Sequence, residues 1–345
     1  MENAGNKTYR EIYGQAASFA AIVRTLPEIR AVLGEVFSRP YDQLIFTGCG
    51  TSLYLAQTAS YLFNTYNATP SVAVCCSELN YAPGAYIKGE RVLVLPITRK
   101  SYTTEVRRAI DRVRQIDGVT TLAITCDPDS RLYNDHYVLC PDTPEESVIM
   151  TRSFTAMIMM SEIISLYAAG QEALIDRLLS LPEQAERIIP EMDRLAKRIV
   201  EENPELNLFV TLGQGMFYGI ANESMNKMKE MGISNSEAYY TLEYRHGPMS
   251  LVDEKTLLVF LSSEATAEED GKLLKELEGY GGVTVTLAAD PALTGGRYQL
   301  SAGDSDMTCA VLGTVFAQMM GYYTAMKKGI DPDTPRHLSL AIVLK

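Results

Sequence analysis

The chain has 345 residues, of which 46% are apolar and 21% charged, and its formal net charge is -12. This length favours two domains, and the apolar content is sufficient for a hydrophobic core in each. The negative charge argues against nucleic acids and anionic membrane surfaces as main partners, because both repel an acidic protein. No apolar run reaches the length of a membrane span, and the polar N-terminus has no signal-peptide core. We therefore expect a cytoplasmic protein.

The cysteines and histidines form no metal-ligand motif. The three histidines include no HExxH spacing, and the cysteines include no CxxC pair. We expect no catalytic metal, and reduced, mostly buried thiols rather than disulfides or a zinc site. The six cysteines are Cys49, Cys75, Cys76, Cys126, Cys140 and Cys309.

The first half of the chain alternates between short apolar strands and helices. A helix is predicted over 8–36, and helices also follow most of the strands. The predicted strands are 43–46, 71–76, 91–97, 119–125 and 137–139, and a helix over 151–169 closes this half. Such alternation is typical of a doubly wound α/β fold with a parallel sheet.

The same order of elements recurs after a helical connector at 171–202, in which Pro182 and Pro190 predict breaks. Strands are predicted at 206–212, 256–261 and 283–288, with helices that end at 230, 278 and 328. This indicates a weak internal duplication of one α/β module. Residues 331–338 are predicted to form an extended turn.

Three turns of the first half, each at the start of a helix, carry hydroxyl side chains. Free amide N–H groups and the helix dipole attract anions at such positions, and ligands of doubly wound sheets bind beyond the carboxyl ends of the strands. The Thr98 turn alone could equally be an ordinary helix cap, but three hydroxyl-bearing turns at one sheet edge are less easily explained in that way. None contains GxGxxG, so we expect no dinucleotide cofactor. The hydroxyl and ammonium side chains are Thr51, Ser52, Thr98, Lys100, Ser101, Thr103 and Thr151.

A second group of polar residues lies in the second half. Lys227 and Glu230 lie one turn apart on a predicted helix, and His246 follows 16 residues after Glu230, before a Gly-Pro pair. A carboxylate, an amine and an imidazole are the components of a proton-transfer site. The alternative is an exposed helical ion pair and a structural loop histidine.

In their joint order, these motifs resemble the double sugar-isomerase (SIS) domain family. The family includes the isomerase half of glucosamine-6-phosphate synthase, isomerising glucosamine-6-phosphate deaminases and fructosamine-6-phosphate deglycases. The resemblance implies two flavodoxin-like SIS domains, one at 1–180 with a leading helix and one at 181–330 with a helical connector. It also implies a tail, 331–345, that closes over the active site. The matching segments are Gly48–Ser52, Thr98–Glu105, Glu145–Thr155, Lys227–Glu230, His246–Pro248 and Pro335–Leu338.

The resemblance also implies the roles of individual residues. Glu230 would move a proton between the first two carbons of an open-chain sugar, within a catalytic motif that includes Lys227. His246 would open the sugar ring and would come from the partner subunit, which requires a homodimer with shared active sites. No cofactor is implied. The substrate and its anionic group would be held by Thr51, Ser52, Thr98, Lys100, Ser101, Thr103, Glu145 and the backbone near Val148.

Two positions depart from the family pattern. Lys100 and Ser101 replace a serine and a glycine of the phosphate turn, which adds a positive charge or selects a different anion. Leu340 replaces a near-terminal lysine, which favours a deglycase or specialised isomerase over a synthase-like enzyme. An aldose–ketose isomerase, an isomerising deaminase and a deglycase all stay open. The alternatives are a non-catalytic sugar-phosphate-binding regulator and a degenerate family member.

Overall fold

A computed structural model describes residues 4–344 and contains two five-stranded parallel sheets. The chain divides into two compact units, each built around one sheet. The unit with the first sheet, called the N-sheet unit, comprises residues 17–144, 152–182 and 339–344 of the described chain. The C-sheet unit comprises residues 4–16, 145–151 and 183–338.

The division differs from the predicted boundaries 1–180, 181–330 and 331–345 in several short segments. Residues 4–16 and 145–151 group with the second sheet. Hydrogen bonds to other residues of the C-sheet unit explain this grouping. The Thr8 N–H and hydroxyl donate to Asp333, and the Glu11 carboxylate accepts the Ser147 N–H. Both pairs lie within the C-sheet unit.

The first sheet has the strand order β2-β1-β3-β4-β5. Its strands are β1 (Gln43–Gly48), β2 (Ser71–Cys75), β3 (Val92–Thr98), β4 (Val119–Thr125) and β5 (His136–Leu139). All neighbours pair in parallel. Every residue of β3 is buried, as expected for a central strand covered on both faces.

The described chain contains nine helices before residue 180. They are α1 (Asn6–Tyr13), α2 (Gln15–Arg24), α3 (Leu26–Val36), α4 (Thr51–Tyr66), α5 (Cys76–Tyr81), α6 (Pro83–Tyr86), α7 (Thr104–Val113), α8 (Arg152–Ala168) and α9 (Glu172–Leu178). The single helix predicted over 8–36 is therefore wrong, because it is three helices. Gly14 follows α1, and Pro27 lies in the first turn of α3, where its missing N–H is tolerated.

The second sheet has the strand order β10-β9-β8-β6-β7. Its strands are β6 (Leu208–Gly213), β7 (Asn235–Tyr239), β8 (Thr256–Leu261), β9 (Val283–Ala288) and β10 (Tyr298–Ser301). Its helices are α10 (Leu181–Glu202), α11 (Phe217–Glu230), α12 (Ala267–Gly279) and α13 (Asp306–Lys327). The predicted break at Pro190 is wrong, because Pro190 lies inside α10, which continues past it.

Both sheets have the same topology when their strands are counted from the start of each unit, namely 2-1-3-4-5. The duplication extends to the glycine that ends the first strand of each sheet. A Cβ at Gly48 would lie 2.6 Å from the backbone of Ser52, and a Cβ at Gly213 would lie 2.6 Å from the backbone of Phe217. Close strand-to-helix turns exclude a side chain at both positions. The predicted fold class of two doubly wound parallel-sheet domains is thus confirmed.

Within residues 4–344, no helix combines the length and apolar character needed to cross a bilayer.

Candidate active site

The strand order of the first sheet reverses between β1 and β3, and the loops at their carboxyl ends carry predicted anion-binding residues. Thr51 and Ser52 follow β1 as the first two residues of α4, and both are nearly buried. Gly50 precedes them with φ +54°, a conformation that favours glycine. The start of α4 therefore presents hydroxyls and helix N-terminal amides at the point where doubly wound sheets bind ligands.

The β3–α7 turn (98–104) is held together by its own polar groups. The Thr98 hydroxyl donates to the Lys100 carbonyl at 2.7 Å, and the Thr103 hydroxyl donates to the same carbonyl at 3.3 Å. The Ser101 N–H and hydroxyl donate to one oxygen of Asp127, at 2.9 and 2.7 Å. Three of the predicted anion donors thus also fix the shape of the turn.

Asp127 was missed by the sequence analysis. Burial raises the pKa of its carboxyl, but hydrogen bonds from Ser101 and Asp129 and the charge of Lys100 outweigh burial, so the pKa lies below its usual value. A charged Asp127 compensates the ammonium of Lys100 and anchors Ser101. The only signal in the sequence is an aspartate directly after the β4 region.

The C-terminal tail runs along the β3–α7 turn within the N-sheet unit. The Arg99 guanidinium donates to the Leu340 carbonyl at 2.9 Å, and the Thr104 N–H donates to the Ile342 carbonyl at 3.0 Å. The Leu344 N–H in turn donates to the Thr104 hydroxyl at 3.0 Å. Position 340 therefore contributes a backbone carbonyl to the turn. Closure of the tail over an active site stays a prediction.

In the C-sheet unit, α11 carries a cluster of two glutamates and one lysine, here called the glutamate–lysine cluster (Glu223, Lys227, Glu230). The Lys227 ammonium lies 2.6 Å from a Glu230 oxygen and 3.1 Å from a Glu223 oxygen. Glu223 and Lys227 are fully buried, whereas the side chain of Glu230 is 23% exposed. Glu230 is therefore the member of the cluster that a ligand can reach.

The electrostatics of the cluster keep Lys227 protonated. Burial lowers the pKa of its ammonium, but the charges of Glu223 and Glu230 outweigh burial and raise the pKa above its usual value. Glu223 was missed by the sequence analysis, although a glutamate four residues before Lys227 lies on the same helical face. The alternative reading of Lys227 and Glu230 as an exposed surface pair is wrong, because Lys227 has no exposed surface.

His246 lies on a different loop of the C-sheet unit. It follows a 3-10 helix, Leu242–Arg245, and its N–H donates to the Glu243 carbonyl at 3.0 Å. The next residue, Gly247, has φ +126°. The imidazole is exposed and, among the described residues, makes no ion pair or hydrogen bond with the glutamate–lysine cluster. The structure therefore does not bring His246 into contact with the cluster of its own chain.

Glu145 and Val148 lie in the C-sheet unit, in the segment 145–151. The Thr151 N–H and hydroxyl donate to the Glu145 carboxylate at 2.8 and 3.3 Å. The Val148 N–H donates to the Asp333 carbonyl at 3.4 Å. These contacts fix the segment, and the predicted roles of Glu145 and Val148 in substrate binding stay predictions.

The predicted site residues are divided between the units. The C-sheet unit holds Glu230, Lys227, His246, Glu145 and Val148. The N-sheet unit holds Thr51, Ser52, Thr98, Lys100, Ser101 and Thr103. No group of three or more potential metal-ligating side chains occurs among residues 4–344.

The SIS domain model matches residues 39–166 and 207–294, which cover most of both sheets. The chain belongs to the SIS domain family. The predicted resemblance to this family is thus confirmed.

Several SIS proteins are similar to this chain over nearly its whole length. A glucosamine-6-phosphate deaminase from Thermotoga maritima is 31% identical, with a TM-score of 0.83 and coverage of 98% of this chain and 100% of that chain. A tagatose-6-phosphate ketose/aldose isomerase from Escherichia coli shares the fold, with a TM-score of 0.84 at 22% identity over 98% of this chain and 96% of that chain.

A curated relative is longer than this SIS chain. The glutamine–fructose-6-phosphate aminotransferase (isomerizing) of Caulobacter vibrioides is 26% identical in an alignment that covers 96% of this chain and 57% of the relative. The chain thus spans little more than half the length of the curated relative it matches.

Proposed function

We propose that this SIS protein catalyses proton transfer between C1 and C2 of an open-chain sugar phosphate or amino-sugar phosphate, with Glu230 as the base. The glutamate–lysine cluster carries this proposal. It places one partly exposed carboxylate, Glu230, 2.6 Å from a fully buried ammonium, Lys227. Enolisation next to a carbonyl needs one positioned base and a proton donor, and no cofactor.

The burial of Lys227 assigns it a different role from that of Glu230. A side chain with no exposed surface cannot touch a substrate unless the site rearranges, so Lys227 acts through Glu230. Its ion pair holds the carboxylate in one orientation, and Glu223 balances the lysine charge from the other side. Lys227 and Glu223 are therefore positioning residues, and Glu230 is the catalytic one.

The anionic group of the substrate is assigned to the turns of the N-sheet unit. Thr51 and Ser52 start α4, and Thr98, Lys100 and Ser101 belong to the β3–α7 turn. A helix N-terminus combined with an ammonium group suits a phosphate, which carries a high charge density. The carboxylate of Asp127 accepts a hydrogen bond from Ser101 in the β3–α7 turn, and its negative charge reduces the positive charge that Lys100 gives this turn.

Among the possible reactions, we favour those that release an amine. The support is the 31% identity to a glucosamine-6-phosphate deaminase over 98% of this chain. Leu340 in place of the family lysine favours a deglycase or a specialised isomerase over a synthase-like enzyme. In a 2-amino aldose, the proton moves from C2 to C1 and leaves a C=N bond at C2. Water then adds to this bond and expels ammonia. In a 1-amino ketose, the proton moves from C1 to C2, and water releases the amine from C1.

His246 is assigned to ring opening in the site of a partner subunit, in a homodimer. The support is the exposure of its side chain and the lack of a contact with the cluster of its own chain in the described residues. Proton transfer to the ring oxygen suits an imidazole, whose ordinary pKa lies near neutrality. Under this proposal, each active site needs Glu230 of one subunit and His246 of the other.

The experiment is incubation of the purified protein with glucosamine 6-phosphate, fructose 6-phosphate or a fructosamine 6-phosphate in D2O. NMR follows deuterium at C1 and C2, and separate assays follow ammonia and free amino acid. The proposal predicts deuterium incorporation with at least one of these compounds, and ammonia or amino acid release if the amine-releasing reaction is correct. Thermal stabilisation by all three compounds without any deuterium incorporation would contradict catalysis and indicate a sugar-phosphate-binding regulator.

A further inference from the structure

Two pairs of cysteines lie opposite each other at the carboxyl edge of the first sheet. The last register pair of β1 and β2 is Gly48 with Cys75, so the next position places Cys49 beside Cys76. The last register pair of β4 and β5 is Thr125 with Leu139, so the next position places Cys126 beside Cys140. Four of the six cysteines thus form two thiol pairs, each one position beyond the carboxyl ends of two neighbouring strands.

The Cys49 and Cys76 side chains lie at one apolar cluster beyond the ends of β1 and β2. The Cys76 sulfur lies 3.3 Å from the hydroxyl of Thr47, which precedes Cys49 by two residues. Cys76 is a buried member of the cluster, and Cys49 packs against the cluster.

The second pair has the same arrangement. The Cys140 N–H donates to the Thr125 carbonyl at 2.7 Å, which extends the β4–β5 ladder by one step and aligns Cys140 with Cys126. Neighbouring strands lie about 4.8 Å apart. That spacing falls inside the range of about 4.4–6.8 Å between Cα atoms that a disulfide spans.

We propose that both thiol pairs are oxidation sites that close to intrachain disulfides when a low-molecular-weight disulfide acts as oxidant. The partly exposed thiol of each pair, Cys49 or Cys126, attacks the oxidant first. This step forms a mixed disulfide and releases one molecule of thiol. The buried partner, Cys76 or Cys140, then attacks the protein sulfur, forms the cross-strand bond and releases the second thiol. Each pair that closes loses two electrons and two protons, and one molecule of the oxidant gains them.

The protonation state of the thiols makes this reaction slow at neutral pH. The hydrogen bond with Cys76 and burial raise the pKa of Cys49, and burial and the hydrogen bond with Cys126 raise the pKa of Cys140. Only the thiolate attacks a disulfide. The pairs therefore stay reduced under mild conditions and close faster as the pH rises.

Each pair adjoins one of the turns assigned to the anion. Cys49 lies in the loop that leads to Thr51 and Ser52, and Cys126 directly precedes Asp127, which holds Ser101. A bond at either pair ties such a turn to a neighbouring strand. We therefore expect oxidation to weaken anion binding. This consequence rests on the proposed function, whereas the thiol geometry does not.

The test uses the full chain, folded, with glutathione disulfide at about pH 8.5, the ordinary pKa of a cysteine thiol. Chymotryptic peptides separated without reductant should contain the cross-links Cys49–Cys76 and Cys126–Cys140, because leucine and tyrosine residues lie between the two cysteines of each pair. The Cys76→Ser variant should lose the first cross-link and keep the second, and Cys140→Ser should do the reverse. Cys75→Ser is the matched control, because Cys75 neighbours Cys76, is partly exposed and should leave both cross-links intact.

Two outcomes would overturn the assignment. One is the absence of both cross-links after glutathione has added to the accessible thiols, and the other is a cross-link through Cys75 in place of Cys76. Binding of inorganic phosphate is then compared before oxidation, after oxidation and after reduction with dithiothreitol. We expect weaker binding only in the oxidised protein. Cross-links that leave phosphate binding unchanged would support the oxidation sites and contradict only the placement of the anion.

Discussion

The ammonium of Lys227 lies 2.6 Å from the carboxylate of Glu230, and Lys227 is completely buried while Glu230 is partly exposed. A second carboxylate, Glu223, approaches the same ammonium from within the core at 3.1 Å. The lysine therefore neutralises a buried charge on one side and orients an accessible carboxylate on the other. This arrangement links the stability of α11 to the chemistry proposed for Glu230.

Replacing Lys227 with methionine should strongly destabilise the C-sheet unit. The substitution keeps most of the apolar volume but leaves Glu223 buried without its counter-charge. Removing one partner of a buried ion pair costs about 3–5 kcal/mol. Urea denaturation of the wild type and of Lys227→Met measures the difference in the free energy of unfolding.

The control for this prediction is Lys272→Met. Lys272 pairs with Glu268 and Glu269 at the same helical spacings, but all three side chains are exposed. Exposed ion pairs contribute little, so this variant should unfold almost like the wild type. Equal losses of stability in the two variants would show that burial of the glutamate–lysine cluster does not increase its contribution to the free energy of unfolding.

Asp127 should contribute stability that depends on pH. Its pKa is lower in the folded protein than in the unfolded chain, so its contribution is present above the unfolded pKa, near 4. This contribution is lost as the pH falls through the lower, folded pKa. In Asp127→Asn the side chain still accepts hydrogen bonds but no longer titrates. We expect the variant to have a shallower loss of stability below about pH 4 than the wild type.

Denaturant titrations at a series of acidic pH values measure this slope. Asp129→Asn is a suitable control, since Asp129 is exposed and donates only its backbone N–H to Asp127. Parallel stability curves for the wild type and Asp127→Asn would contradict the predicted contribution of the Ser101–Asp127 hydrogen bonds.

Glu162 should be a destabilising residue. It lies in the buried helix α8, and neither carboxylate oxygen has a hydrogen-bond partner among residues 4–344. Burial raises the pKa of its carboxyl well above the usual value. Glu162→Met should therefore stabilise the protein by about 1–3 kcal/mol at neutral pH, because it removes an unsatisfied buried polar group.

The raised pKa of Glu162 determines how the stability gain of Glu162→Met changes with pH. A carboxyl with a raised folded pKa makes the native state bind the proton more tightly than the unfolded chain, so stability falls as pH rises above the unfolded pKa. The gain in Glu162→Met should thus grow from acidic to neutral pH. Glu186→Met, at an exposed helical position, should show no such growth. A gain that is the same at all pH values would contradict a titrating Glu162.

The sequence predicts best those strands that are buried along almost their whole length. The predicted ranges 119–125, 256–261 and 283–288 coincide with β4, β8 and β9, since central strands of parallel sheets are covered on both faces. β7 and β10 were not predicted. Both are edge strands, and the sequence of β7, Asn-Ser-Glu-Ala-Tyr, lacks an apolar run. Pro190 was misread because the long helix α10 accommodates a proline in its interior.

The site was predicted less completely than the fold. Lys227 and Glu230 were identified from their spacing, and the structure places them in contact. Glu223 and Asp127 were not identified, since only the folded chain shows that both lie beside residues of the site. A carboxylate whose role is to position another side chain belongs to no recognisable sequence motif. Its role follows from distance and burial, and neither can be read from spacing alone.

Mixing two inactive variants tests whether the active site is shared between subunits. Glu230→Gln and His246→Asn should each have little activity on a closed-ring substrate. After unfolding and refolding together, hybrid dimers contain one site with both native residues. A random mixture should recover about a quarter of the wild-type activity, because half of the dimers are hybrids with one native site each. No recovery, with dimers confirmed by light scattering, would place Glu230 and His246 in the same subunit's site.

Deuterium exchange in Glu230→Gln tests the assignment of the base most directly. The variant keeps the size of the side chain and removes the carboxylate that accepts the proton. Glu254→Gln, at an exposed position of the same unit, serves as the matched control. With the compound that the wild type turns over, we predict no deuterium at C1 or C2 in Glu230→Gln and wild-type exchange in Glu254→Gln. Substrate affinity should change by less than about tenfold, or 1.4 kcal/mol. Exchange at the wild-type rate in Glu230→Gln would contradict the assignment of Glu230 as the base.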